Sequence, residues 1–193
     1  MGRYLKATRD RGLILNPSSN VYKLRFYPDA DFSGMYEHEI PTDPDCVKSR
    51  TGFVITFAGC PVYWESKFQT ETVLSTMESE INSLDHSCRE LLPIIDITKS
   101  LGQAVGLPIG DRIMNFSIHE DNAGALILEK TLTPKFTPLI KYYASKTIWF
   151  REEINKRGIK LINIDTVEEM GDIFTKVLPR ETFEYLRKKI MGW

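Results

Sequence analysis

Residues 21–31 read VYKLRFYPDAD, and this stretch decides the fold. Its apolar and aromatic residues alternate with Lys23 and Arg25, which is the period-two pattern of a β-strand with one buried face. Because successive side chains of a strand point to opposite faces, Asp29 and Asp31 fall on the same side. The sequence therefore predicts a strand that carries carboxylates at its end.

Two more strands follow after the polar, proline-containing loop of residues 33–50. Residues 51–57 (TGFVITF) and 61–66 (PVYWES) are short β-prone runs, and a tight turn around residues 58–60 joins them. Three strands connected in this way predict an antiparallel meander.

A long helix is predicted next. Ser75 and Glu78 have the spacing of a capping box at its start, and Pro93 is expected to kink or interrupt it. Its buried face is predicted from apolar residues at spacings of three and four: Met77, Ile81, Leu84, Cys88, Leu91 and Ile95.

The second half of the chain alternates strands and helices. Thr166 and Glu169 are predicted to form a capping box that opens a helix with Met170, Ile173, Phe174 and Val177 inward and Pro179 at its end. The other elements are a strand at 113–119, a short helix at 122–130, a helix at 138–157 closed by Gly158, a strand at 159–164 and an amphipathic segment at 181–190. The predicted fold is α/β: a five-stranded mixed sheet, three strands antiparallel and then two parallel, flanked by helices.

The composition fits one domain with a core. The chain has 193 residues, 42% of them hydrophobic and 26% charged, and a net charge of −1. It has no apolar run near the roughly 18 residues of a membrane span, so no membrane partner is expected. Its three cysteines have no metal-binding spacing, which favours a reduced, intracellular protein. Basic residues near both ends, such as Arg3 and Lys188, are either nucleic-acid patches or solvated surface.

Four acidic residues are the candidate site: Asp29, Glu80, Asp121 and Asp172. They are about fifty residues apart, so only the folded domain can bring them together. Carboxylates are the ligands that magnesium prefers, and a cluster of them suits two-metal phosphodiester chemistry. Each acid also has a simpler explanation in its own segment.

The simpler explanations are local. Asp29 and Asp31 fit strand-end turn chemistry, and Asp121 fits a helix N-cap. Asp172 fits an exposed ion pair with Lys176, worth a few tenths of a kcal/mol. Glu80 is preferred over Glu78 because it borders the buried helix face.

Other chemistry is poorly supported by the sequence. No serine elbow, phosphate loop or dinucleotide fingerprint is present, and Cys88 falls on the apolar helix face. Tyr142, Tyr143, Trp149 and Phe150 either stack on bases or pack in the core.

Six segments in order resemble the ribonuclease H domain of copia-type retrotransposon polyproteins. They are FYPDADFSG, RTGFVITFAGCPVYWESKFQT, STMESEIN, HEDNAGALIL, WFREEINKRGIKLINI and GDIFTKVLP. The resemblance implies a ribonuclease H-like domain at residues 21–180, preceded by an arm at 1–20 left from the reverse transcriptase connection and followed by a C-terminal helix at 181–193.

The resemblance also implies the activity, which is metal-dependent cleavage of the RNA strand of RNA–DNA hybrids during reverse transcription. Asp29, Glu80, Asp121 and Asp172 would be both the catalytic residues and the ligands of two Mg²⁺ ions, which Mn²⁺ can replace, with Asp31 as a supporting or alternative ligand. The expected partners are the hybrid and the reverse transcriptase part of the same polyprotein. The expected location is the cytoplasm, within retrotransposon particles, with the nucleus as the alternative.

Some positions depart from the family pattern. Lys141 is followed by Tyr142 where the family has a Lys-His pair, and Glu169 replaces a residue that is often glutamine. The alternative function is therefore a non-catalytic accessory domain of the same fold, which binds nucleic acid or packs on the reverse transcriptase.

Overall fold

A computed structural model describes residues 2–17, 22–34, 36, 44–107, 114–121 and 140–193, with side chains from residue 144 onward in the last of these ranges. The strands are β1 (Tyr22–Asp31), β2 (Arg50–Phe57), β3 (Cys60–Phe68), β4 (Met114–Glu120) and β5 (Lys160–Asn163). The helices are α1 (Gly2–Thr8), α2 (Thr76–Ala104), α3 (Ile140–Arg157), α4 (Asp172–Thr175) and α5 (Arg180–Met191), and 3₁₀ turns occupy Pro44–Val47 and Thr166–Glu168.

The five strands form one mixed sheet in the order β3-β2-β1-β4-β5. β1 pairs antiparallel with β2 and parallel with β4, and β4 pairs parallel with β5. The predicted fold class is confirmed. Because β1 is the central strand, its carboxyl end meets the ends of β4 and β5, and residues from distant parts of the chain can converge there.

Each face of the sheet has its own core. Alternation along β1 sends Leu24 and Phe26 to one face and Tyr27 to the other. The first core joins the sheet to α2 and α3 and includes Ile95, fully buried. The second joins Tyr27 to α5 and includes Leu186. The sheet therefore separates two packed layers, and the segments that cross its carboxyl edge can reach both.

Helix α2 largely follows its prediction. Ser75 is the N-cap, and its hydroxyl accepts a hydrogen bond of 3.2 Å from the Glu78 amide. The helix continues through Pro93, so the expected interruption does not occur. Met77 is 59% exposed, and its predicted place on the buried face is wrong because it lies in the first turn, ahead of the contact with the sheet.

The predicted helix after Thr166 is wrong. The chain forms a 3₁₀ turn at Thr166–Glu168 and then the single turn α4, and Val177 is exposed beyond it. The capping box is not made, because the Glu169 carboxylate accepts from the Gly171 amide instead. The close approach of α4 to β2 at Gly52 prevents a regular helix here.

The N-terminal arm lies against the C-terminal helix. The Tyr4 and Phe183 rings meet edge to face at 5.7 Å, the Ile14 amide donates to Met191 at 3.0 Å, and the Trp193 indole donates to Gly12 at 2.8 Å. The division at residues 20 and 180 stays a prediction. The predicted helix at 122–130 and loop at 131–137 lie outside the described residues. Within the described part of the chain, no helix has the length and apolar character needed to cross a membrane.

Candidate active site

Asp29 is held in place by the packing of α2 on β1. Its side chain is only 2% exposed. The Ser83 hydroxyl, on the buried face of α2, donates to the Asp29 carbonyl oxygen at 2.7 Å. Ser87, one turn further, donates to Ser83 in the same way at 2.5 Å. These small side chains let the helix backbone approach the strand closely, so Asp29 sits in a fixed frame.

Two glycines bring α4 against the other side of the same strands. A Cβ on Gly52, which pairs with Asp29 across β1 and β2, would lie 2.6 Å from Thr175 Cγ2 and 2.7 Å from Phe174 Cβ. A Cβ on Gly171 would lie 2.9 Å from both the Asp29 Cβ and the Tyr27 carbonyl oxygen. Only glycine fits at either position without movement of its neighbours. The two glycines therefore set the depth at which Asp172 and Thr175 enter the site.

The approach of α4 closes a network around Asp29. The Thr175 hydroxyl donates to Asp29 Oδ2. Lys176 Nζ donates to Asp172 Oδ1 at 2.6 Å and to Asp29 Oδ1 at 3.0 Å. Asp172 is 4% exposed. The ion pair between Asp172 and Lys176 that the sequence suggested is therefore formed. Its carboxylate is buried instead of exposed, and Lys176 also pairs with Asp29.

Burial and crowding raise the proton affinity of the two carboxyls. Burial raises the pKa of Asp29 to about 6; the Asp172 charge adds to this, while Lys176 and Thr175 oppose it. Burial also raises the pKa of Asp172, with the Asp121 charge in the same direction, while Lys176 and a hydrogen bond with Asp29 lower it. The pKa of Lys176 is raised because both carboxylates, Asp29 first, outweigh its burial. The site favours a cation between Asp29 and Asp172.

Asp121 and Glu80 approach this pair from different elements. Asp121 directly follows β4, is half-buried, and lies near enough for its charge to raise the pKa of Asp172. Glu80 is buried near the start of α2, one turn before Ser83 on the face that contacts β1. The structure brings Asp29 and Asp172 together through Lys176, places Asp121 within electrostatic range of Asp172, and places Glu80 on the adjoining helix. The alternative N-cap role of Asp121 depends on residues outside the described ones.

Asp31 lies at the rim of the cluster. It is half-buried, and burial raises the pKa of its carboxyl, while the charges of Lys176 and Arg50 lower it. The influence of Lys176 links Asp31 to the same network, so its predicted role as a supporting ligand stays open.

Glu169 is a further acid in the cluster, which the sequence indicated only as a departure from the family pattern. It is fully buried; its Oε1 accepts from Gly171 at 2.7 Å, and its Oε2 has no hydrogen-bond partner among the described residues. Burial raises its pKa well above the usual value, helped by the charges of Glu120, Asp29 and Asp121 and opposed by the Gly171 amide. Its burial was not visible in the sequence, because Glu169 was expected to cap the start of a helix together with Thr166.

A groove of about 600 Å³ lies on the side of the sheet that α2 and α3 cover. It runs between the ends of β2 and β3, the first turns of α2 and the side of α3. Thr51, Asn82, Arg89, Lys146 and Trp149 are among the residues that line it. Arg89 stacks over the Trp149 ring at 4.7 Å. Trp149 therefore faces the groove, whereas Phe150 is buried in the core.

The basic ends of the chain are engaged elsewhere. Arg11 and Arg187 stack over the Trp193 ring at 4.8 and 4.3 Å, and Lys189 pairs with Glu168. The two ring contacts belong to the packing of the arm on the C-terminal segment, and the Lys189–Glu168 pair joins α5 to the 3₁₀ turn. The cations of the groove are paired as well, Arg89 with Asp85 and Lys146 with Glu71.

The residues present fit a divalent cation. Among the described residues, no three His, Cys, Asp or Glu side chains stand together as a ready metal-binding group. Asp29 and Asp172 nevertheless already share one cation, the Lys176 ammonium, through one oxygen each. Buried carboxylate oxygens from two elements, with a third carboxylate nearby, are the donor set that magnesium prefers.

Comparison with known sequences finds homologues of the chain. The chain is 30% identical over 190 residues to the retrovirus-related Pol polyprotein from transposon TNT 1-94 of Nicotiana tabacum, a match covering 98% of this chain and 13% of that protein. It is 29% identical over 188 residues to the Pol polyprotein from transposon RE2 of Arabidopsis thaliana, covering 97% and 12%. The chain is homologous to a segment of the copia-type retrotransposon Pol polyproteins. It spans only about an eighth of the length of these relatives.

The solved structures assign the fold of this copia-type segment. LC11-RNase H1, isolated from compost by a metagenomic approach, superposes with a TM-score of 0.51 over 86% of this chain and 98% of that one, at 15% identity. No family model matches the chain. The copia-type segment therefore has a ribonuclease H fold, as the sequence predicted, and its chemistry has to be argued from its own residues.

Proposed function

We propose that the chain is a metal-dependent endonuclease that hydrolyses the RNA strand of RNA–DNA hybrids during retrotransposon reverse transcription. The observation that carries this proposal is the buried sharing of one cation by Asp29 and Asp172, 143 residues apart in the sequence, with Asp121 near enough for its charge to raise the pKa of Asp172. A purely structural role does not require two carboxylates to be buried side by side, since burial and mutual repulsion raise their free energy.

The proposed ligands are Asp29, Glu80, Asp121 and Asp172, with two Mg²⁺ ions or Mn²⁺ in their place. Bound ions of this kind activate a water for attack on phosphorus and stabilise the departing oxygen. The chain's own contribution is to hold the carboxylates rigidly. Ser83 fixes the backbone of Asp29, and the close approach of Gly52 and Gly171 fixes Asp172.

The groove supplies a path for the nucleic acid. Thr51, Gln69 and Asn82 contribute hydroxyl and amide groups to its lining, and Arg89 and Lys146 contribute positive charge that Asp85 and Glu71 partly balance. Hydroxyls and amides suit contacts with sugars and phosphates, which is how helical RNA is recognised. We therefore propose selection by backbone shape and 2′-hydroxyl groups, without readout of base sequence.

Cleavage of a labelled RNA–DNA hybrid tests the function. The purified chain is expected to cut the RNA strand in Mg²⁺ or Mn²⁺, leaving a 3′-hydroxyl and a 5′-phosphate. Asp121→Asn is expected to lower the rate by at least about 10³-fold, a loss of roughly 4 kcal/mol of transition-state stabilisation. Asp165→Asn, outside the cluster, is the matched control and should keep the wild-type rate.

A folded wild-type chain that binds the hybrid with metal present and never cuts it would overturn the nuclease. That outcome would favour the second candidate, a non-catalytic domain that holds nucleic acid or packs on the reverse transcriptase of the same polyprotein. The buried carboxyl of Glu169 is the observation in its favour, because an additional acid beside Asp29 and Asp121 changes the charge that the site must balance. Both candidates place the protein with the reverse transcriptase inside the retrotransposon particle in the cytoplasm, with the nucleus as the alternative.

A further inference from the structure

Lys176 occupies the position between the two central carboxylates. Its ammonium lies 2.6 Å from Asp172 Oδ1 and 3.0 Å from Asp29 Oδ1, and both carboxylates are almost fully buried. The same two oxygens are the ones that a divalent ion between Asp29 and Asp172 would use. An ammonium and a divalent ion cannot both have them, since like charges repel strongly at such distances.

The Lys176 side chain can also leave this position. Its side chain is 34% exposed, and the residue is the C-cap of α4, with extended backbone at φ −112° and ψ 153°. A long, flexible side chain can turn its charged end into solvent by rotation about its own bonds, without movement of α4. Asp29 and Asp172 have no such freedom, because both are buried, and Asp29 is also held by the Thr175 hydroxyl at its carboxylate and by the Ser83 hydroxyl at its backbone carbonyl.

We propose that Lys176 is a tethered cation that competes with the divalent ion for the Asp29–Asp172 pair, so that metal enters only as the lysine swings out. This inference rests on the proposed metal site. The lysine keeps the crowded carboxylates balanced when metal is scarce and sets the metal concentration at which the site loads. If it leaves the pair free about one tenth of the time, the apparent affinity for metal is lowered about tenfold.

Metal binding by isothermal titration calorimetry tests the competition without any use of activity. Chelator-treated chain is titrated with Mn²⁺ and with Mg²⁺. Lys176→Met, which keeps length and loses charge, is expected to bind about tenfold more tightly than wild type. Lys48→Met is the matched control, because Lys48 is also 34% exposed and pairs with one carboxylate, Asp45, at 2.7 Å. It should bind metal as wild type does.

A second measurement covers the case in which Lys176→Met fails to fold. In the wild-type chain, lysine acetylation read by mass spectrometry should show Lys176 protected without metal and labelled when Mg²⁺ is added, while Lys48 does not change. Equal metal affinity in wild type and Lys176→Met, or unchanged labelling of Lys176 at saturating metal, overturns the competition and leaves the nuclease intact. Failure of every folded variant to bind metal removes the metal site itself, and with it the nuclease proposal.

Discussion

Gly52→Ala is expected to move Asp172 away from the other three candidate acids, Asp29, Glu80 and Asp121. The new methyl group would stand 2.6 Å from Thr175 Cγ2 and 2.7 Å from Phe174 Cβ, with the Phe174 carbonyl carbon at 3.0 Å. Carbon atoms in packed interiors sit about 3.5–4.0 Å apart, so α4 has to retreat from β2 by about an ångström. Overpacking of this kind costs about 1–3 kcal/mol.

The retreat also moves the site. Thr175 and Lys176 both bond to Asp29 from α4, so an outward shift of about an ångström lengthens these hydrogen bonds beyond their useful range. For a chain of this size, 1–3 kcal/mol corresponds to a fall in Tm of about 2–12 °C. We expect hybrid cleavage to fall by more than the loss of folded protein explains, since misplacement by an ångström can lower a rate about 100-fold.

Thermal unfolding and hybrid cleavage are the two assays, with Gly12→Ala as the control. A Cβ on Gly12 meets nothing within 4 Å, so this variant should unfold within a degree or two of wild type and cut normally, because a surface change alters stability by only about 0.5 kcal/mol. If Gly52→Ala is as stable and as active as Gly12→Ala, then the close packing of α4 on β2 does not position Asp172, and the reasoning from the two glycines is refuted.

Two other substitutions test neighbouring parts of the site. Glu169→Gln keeps an oxygen that accepts from the Gly171 amide and removes the buried charge. Because burial holds the folded-state pKa of Glu169 well above 4.5, the stability of the wild type should fall as the pH rises from about 4.5 through that pKa. In urea unfolding, the variant should therefore be more stable than the wild type at pH 7.5 and should lose this advantage near pH 4.5. The result is contradicted if the two unfolding curves stay parallel from pH 4.5 to 7.5. Gln69→Ala removes the side-chain amide that donates to Thr51 and to Ser79 and so links β2 to the start of α2. The free energy of unfolding, measured with denaturant, should fall by about 1–3 kcal/mol. An unchanged denaturant midpoint would mean that this link does not stabilise the fold.

The sheet and the long helix could be predicted because their patterns are local. Alternation in residues 21–31 and the three-and-four spacing in α2 each arise from one element packing one face on a core. β1 and α2 begin within a residue or two of the predicted positions, and the Ser75 cap is made as expected. The four candidate acids follow from their positions relative to these elements; the structure brings Asp29 and Asp172 together through Lys176, and the four-acid site stays a prediction.

The segment from Thr166 to Val177 could not be predicted, because its conformation depends on a distant residue. The local sequence contains a capping pair and apolar residues at helical spacing, which together favour a helix. A regular helix would not let Thr175 reach Asp29, whereas the short turn α4 fits against β2 where Gly52 has no side chain. Close approach to the sheet outweighed the local preference, and Gly52 lies 123 residues before Thr175 in the chain.

The same packing changes the character of the Asp172–Lys176 pair. As an exposed pair on a helix, it would be worth a few tenths of a kcal/mol, and either charge could be removed with little effect. With Asp172 and Asp29 buried, removal of the lysine alone leaves two uncompensated carboxylates, and breaking a buried pair in this way costs about 3–5 kcal/mol. The site therefore exchanges cation for cation: a departing ammonium has to be replaced by a metal ion or by a proton. Because Lys176 lowers the pKa of Asp29, departure of the ammonium makes protonation of Asp29 easier, so a divalent ion that replaces Lys176 has to compete with a proton for the pair, and loading with metal should weaken as the pH falls.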